Sequence, residues 1–176
     1  MSYIKLDENT KLESQIYIGF SGPGNSSKEQ RKYSYQLGNE IANNDWILVS
    51  GGQNKGTMNA VNRGAYKAGG LTLGILPGRD RSRVSRWVRF STVEGDGQKR
   101  NATIINTISV LVAIGANTPG TNMKINSALK TGKPVIIFQP ENSGFVQGYM
   151  AQSPKLVTIT ETVAETIAAI KFKLNS

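Results

Sequence analysis

Short unbroken apolar runs alternate with polar stretches along this chain. IYIGF (16–20), WILVS (46–50), LTLGIL (71–76), VLVAIG (110–115) and PVIIF (134–138) are continuous rather than alternating, and LVTI (156–159) repeats the form. A strand covered on both faces reads this way, because neither face meets water. Between the runs the period becomes helical. Tyr33, Leu37 and Ile41 recur at helical spacing behind SSKE, whose Ser26 and Glu29 predict a capping box. Val163, Ile167, Ile170 and Leu174 form the stripe of a closing helix. Strand and helix in alternation predict right-handed crossovers, hence an α/β fold with a mostly parallel, doubly wound sheet of six to seven strands. Residues 1–14 read as a polar leader. Residues 15–176 read as one ligand-binding domain with a full-sized core.

Two segments echo each other. KGTMNAVNRGAYKAGGLTLGIL and PGTNMKINSALKTGKPVIIF each run from a Gly-Thr turn through a helix to a strand, the second one residue shorter. They read as equivalent loop–helix–strand units in one sheet, since nothing continues the period.

Composition removes several chemistries. Without cysteine there is no disulfide or thiolate nucleophile, and without histidine the usual zinc ligand and neutral-pH base are missing. No apolar run reaches membrane-span length and the N-terminus lacks a signal core, so a cytosolic protein is expected. Lysine and arginine outnumber the acids by 21 to 12, a net +9, which favours anionic partners.

Three glycine-rich turns follow predicted strands: SGPGN (21–25), SGGQNKGT (50–57) and GANTPGT (115–121). Ligands of open α/β sheets bind beyond the strand carboxyl ends, where glycine amides and helix N-termini favour a phosphate. Ser21, Gly22, Gly24, Gly51, Gly52, Gly56, Gly115, Pro119 and Gly120 shape those turns. Thr57 and Thr121 stand where a hydroxyl would cap a helix or donate to a phosphate oxygen. Neither the P-loop nor the GxGxxG pattern is present. Arg100-Asn101, after GDGQK, opens a helix from which a guanidinium could clamp a phosphate; Lys55 and Lys124 add charge.

Arg79, Arg81, Arg83, Arg86 and Arg89 crowd the run GRDRSRVSRWVR against a single Asp80. They read equally as solvated surface or as an anion patch, and Trp87 as a buried strand aromatic or a base-stacking ring. No carboxylate falls between 46 and 79 or between 97 and 140. Cleaving an N-glycosidic bond ordinarily uses carboxylates, so acid-free loops favour holding an anion over hydrolysing a glycoside. Glu94 and Asp96 are the acids placed to approach from a neighbouring loop.

VSGGQNKGTMNAVNRGAYKAGGLTLGILPG, GDGQKRN and PGTNMKINSALKTGKPVI together resemble the Rossmann-like nucleotide-binding superfamily that includes the lonely-guy phosphoribohydrolases, once misnamed lysine decarboxylases, and the DNA-processing proteins. Within it, the chain is most similar to molybdenum cofactor carrier proteins, over about residue 16 to the C-terminus. The resemblance implies a three-layer sandwich, a homodimer or homotetramer, and an anionic ligand over the strand ends. The hydrolases carry Pro-Gly-Gly-x-Gly-Thr-x-x-Glu with an upstream arginine. Arg100 matches the arginine, but Lys124 replaces the glutamate and Asn117-Thr118-Pro119 replaces Pro-Gly-Gly. The carriers also generally keep that glutamate and are acidic where this chain has its arginine run, so the resemblance points to a diverged ligand. The expectation is a non-catalytic carrier for a phosphorylated small molecule, the molybdenum cofactor or a nucleotide. A nucleoside 5′-monophosphate phosphoribohydrolase using Glu94 or Asp96, and a single-stranded DNA binder using Arg79, Arg81 and Arg83, are the alternatives.

Overall fold

A computed structural model describes residues 15–176, apart from Asn142 and the Ser143 side chain; the expected polar leader, 1–14, lies outside the described residues. Strands β1 (Tyr17–Ser21), β2 (Ile47–Ser50), β3 (Thr72–Pro77), β4 (Phe90–Glu94), β5 (Val110–Ile114), β6 (Val135–Phe138) and β7 (Val157–Thr160) form one sheet in the order β4-β3-β2-β1-β5-β6-β7. Every pairing is parallel. Six helices cover it: α1 (Lys28–Asn43), α2 (Gly56–Lys67), α3 (Gly97–Thr107), α4 (Pro119–Lys130), α5 (Ser143–Gln152) and α6 (Val163–Leu174). The α/β doubly wound sandwich expected from the alternating runs is thus observed.

Two cores explain why the strand runs are unbroken. Ile18, Phe20, Leu48, Val110, Val112, Ile136 and Phe138 face α1, α2 and α6. Val49, Ile75, Leu111, Ala113, Val135 and Ile137 face α3, α4 and α5. Burial of apolar area on both faces, at roughly 25 cal/mol per Å², favours apolar residues at successive positions of the central strands.

Three details depart from the sequence reading. The α1 cap is Ser27, not Ser26: Ser27 Oγ accepts the Gln30 amide and Gln30 Oε1 accepts the Ser27 amide. Serine and glutamine serve this box as well as Ser26 and Glu29, so the pattern fits two registers and the helix start decides. β4 is the strand no apolar run announced. It is an edge strand of largely exposed or half-buried residues. Trp87 is not in a strand; it stands half-buried in the segment before β4.

That segment explains the arginine run. Parallel β3 and β4 need a crossover, and residues 78–89 supply one without a helix. They return past α2, tied by Ser85 N–H to Gly52 O (2.8 Å), Asn54 N–H to Arg83 O (2.9 Å) and Thr72 Oγ1 donating to Trp87 O (2.9 Å).

Candidate functional site

The order of the strands reverses at β1 and β5, parallel neighbours at the centre of the sheet: β2, β3 and β4 are added outward from β1, and β6 and β7 outward from β5. Crevices open at the carboxyl ends of such a pair. The turns after β1, β2 and β5 meet there, as their positions in the sequence predicted. On Gly56, at φ +48°, a Cβ would lie 2.3 Å from Gly24 O, so this turn and the first are in backbone contact. Gly22 and Gly24 are half-buried, Lys55 is exposed, and its stem lies along Gly24.

Not every expected donor is free. The amides of Gly52, Thr57, Gly115 and Thr121 donate to Ser50 Oγ, Pro23 O, Phe138 O and Thr118 Oγ1. The hydroxyl of Thr57 is wholly buried and donates to Pro23 O at 2.9 Å. It neither caps α2 nor points a hydrogen at a ligand. Thr121 is buried too, but its Oγ1 accepts from Ser21 Oγ (3.3 Å) and Thr118 Oγ1 (2.9 Å), leaving its own hydrogen to give. The cap of α4 is Thr118, with Pro119 following it. Gly120 is exposed, with open space where a Cβ would stand.

The electrostatics concentrate on two cations. Arg100 leans on the second turn: a Cβ on Gly51 would sit 3.2 Å from its Nη1 and 2.9 Å from Met58 Sδ. Its Nε is buried with no partner, and so is Oδ1 of the neighbouring, buried Asn101. Lys124 is only 8% exposed, and its Nζ donates to Gly120 O at 3.2 Å. Burial, then the nearby Arg100, pulls its ammonium down to about 8. Burial alone pulls Arg100 below its usual value. Among the described residues no carboxylate acts on either shift. A buried charge without a counter-charge costs several kcal/mol, and two of the same sign cost more.

The acids occupy other roles. Asp96 caps α3, accepting the Lys99 amide at 2.7 Å, and Glu94 ends the edge strand in register with Pro77. The carboxylate nearest the turns is one that sequence reading passed over. Glu141 follows β6 and accepts from the side-chain amides of Gln30 and Asn117, beside Gly115. Its place at a strand's carboxyl end was the available signal. Both its oxygens are held by amides, which orient the third turn.

The arginines of the expected patch, Arg79, Arg81, Arg83 and Arg86, lie along the crossover between β3 and β4. Arg79 and Arg83 line a hollow of about 380 Å³ with Asp80 and Ser82. Arg81 Nη2 donates to Ser91 O, and Arg86 lies over Trp87.

Solved structures share this frame. The molybdenum cofactor binding protein of the phototrophic bacterium Rippkaea orientalis is 34% identical, with a TM-score of 0.87 over 92% of this chain and 99% of that one. The molybdenum cofactor carrier protein of Chlamydomonas reinhardtii is 34% identical, with a TM-score of 0.85 and the same coverage. An uncharacterized protein of Archaeoglobus fulgidus is 32% identical over 125 residues, 71% of this chain and 81% of that protein. Residues 15–168 match the SLOG cluster4 family, and the chain belongs to that family.

Proposed function

We propose that the chain is a non-catalytic binding protein for a phosphorylated small molecule, with the molybdenum cofactor the first candidate and a nucleotide the second. The observation that carries this reading is buried Lys124 beside half-buried Arg100, whose Nε is buried, the two unmatched by any carboxylate among the described residues. A phosphate between them would satisfy Arg100 Nε, give Lys124 a second partner and receive the Thr121 hydroxyl. Two structural relatives named for binding or carrying the molybdenum cofactor support the first candidate. With no cysteine or histidine in the chain, such a ligand would be gripped by phosphate and ring, leaving the metal to other atoms.

Native mass spectrometry of freshly purified protein tests this. A retained mass equal to a phosphorylated ligand, lost in Arg100→Met, is the expected result; it reports the expected homodimer or homotetramer together with the ligand. Protein that is ligand-free, and stays so when incubated with phosphate monoesters, would contradict the reading. The hydrolase alternative was expected to use Glu94 or Asp96; with those at the edge strand and the α3 cap, Glu141 is the carboxylate left to test. Amides of Gln30 and Asn117 hold both its oxygens, and incubation with adenosine 5′-monophosphate should release no adenine. Sustained release abolished by Glu141→Gln would reverse the ranking.

A further inference from the structure

The net charge of +9 is not spread evenly. A groove of about 670 Å³ between α1 and α2 is lined by Lys28, Arg31, Lys32 and Arg63 together with Tyr35. The helices approach closely enough to join these cations into one surface: a Cβ on Gly64 would stand 2.0 Å from Tyr35 O, and one on Gly38 2.1 Å from Val61 O. No acid lies in the lining or anywhere on α2. Glu29 sits on the neighbouring stripe of α1, accepting from Tyr33 Oη, and Glu40 lies further on, in the groove between α1 and α6.

Rings continue the surface from Arg63. Its guanidinium is 5.8 Å from the Tyr35 ring and 5.8 Å from the Trp87 ring. Lys67 and Arg86 stand 5.3 and 4.8 Å from Trp87, and Arg89 lies 4.7 Å over Tyr66, which meets Trp87 edge-on. Cations this close repel one another within a Debye length, and nothing in the lining offsets them. A polyanion would. Rings interleaved with guanidinium groups are surplus to an acidic peptide, but they are stacking platforms for bases.

We propose that this face binds single-stranded nucleic acid, its phosphates following Lys28, Arg31, Lys32 and Arg63 and a base stacking at Trp87. Gly56 borders both the groove and the crevice, but the side chains proposed to hold the strand are not those proposed to hold the phosphate, so the two readings stand or fall separately.

Fluorescence anisotropy of a labelled thymidine 15-mer with the full chain, across 50 to 300 mM salt, tests it. The neutralised triple Lys28→Gln, Arg31→Gln, Lys32→Gln should bind about 30-fold more weakly. Its slope of log affinity on log salt should fall by roughly 2, the expectation for three lost contacts to a single strand. A control triple of equal charge change, Lys130→Gln, Lys155→Gln, Lys171→Gln, should lose under about threefold. The oligonucleotide should also quench tryptophan emission in the wild type and not in Trp87→Phe, which retains only the core Trp46. Equal losses in the two triples would reduce the effect to net charge and overturn the proposal. So would displacement by a glutamate 15-mer at matched charge, or quenching unchanged in Trp87→Phe.

Discussion

The units β2–α2–β3 and β5–α4–β6 start from the same device and arrive at different ends. Each has a Gly-Thr turn, a helix of 12 residues and a parallel strand. In the first, Thr57 gives its hydrogen to Pro23 O, while Asn62 donates to Ser50 Oγ and Met58 O. Its polar groups are bonded internally and the helix lies against α1. In the second, Thr121 retains its hydrogen, and the position three residues on is Lys124 rather than Ala60. A glycine turn at a helix N-terminus therefore does not make a site. In the proposed reading, a buried cation lacking a counter-charge among the described residues does.

The largest break in that contrast should come from Lys124→Met. Phosphate-ligand affinity is expected to fall about 100-fold or more, the scale of removing one charge from a buried charged contact. Ala60→Met in the first unit should change it less than twofold; titration calorimetry on both variants checks the difference.

Stability should move the opposite way. Lys124 has a folded pKa of about 8 against roughly 10.4 unfolded, so the cost of burying its charge is complete below pH 8. That cost is relieved as pH rises from 8 toward 10.4, where the folded state releases its proton first. Lys124→Met should consequently stabilise ligand-free protein at pH 7 by up to roughly 3 kcal/mol, read by denaturant unfolding. The gain should vanish at pH 10.5.

Thr57→Val should do the reverse of Lys124→Met. Losing the hydroxyl's bond to Pro23 O, which the Thr57 amide still satisfies, costs up to about 1.5 kcal/mol of stability, with ligand affinity held within twofold. Thr118→Ala should cost only about 1 kcal/mol as a lost cap, and Lys55→Ala less than about 0.5, since Lys55 makes no side-chain cap bond. Thermal melts would order the three.

The fold was legible wherever strands are buried on both faces, because continuous runs such as VLVAIG leave no other reading. β4 was not, since an edge strand half in solvent carries no such run. The turns were located correctly, yet their donors could not be sorted. Whether the Thr57 hydroxyl faces a ligand or Pro23 depends on a contact 34 residues away in the chain. The same holds for Glu141, whose amide partners come from α1 and the third turn. Charge along the sequence left two readings open for the five arginines within 11 residues, which the structure places along a crossover. The groove cations Lys28, Arg31, Lys32 and Arg63 converge from two helices.

Proton linkage at the crevice is the sharpest probe of a buried cation awaiting an anion. Inorganic phosphate should be titrated calorimetrically into the protein at pH 8.5, in two buffers of different ionisation enthalpy. Lys124 is then about three-quarters deprotonated when free, so binding should take up roughly 0.7 proton per phosphate, and none in Lys124→Met. Phosphate bound with no proton uptake, or with the same uptake in Lys124→Met, would contradict it.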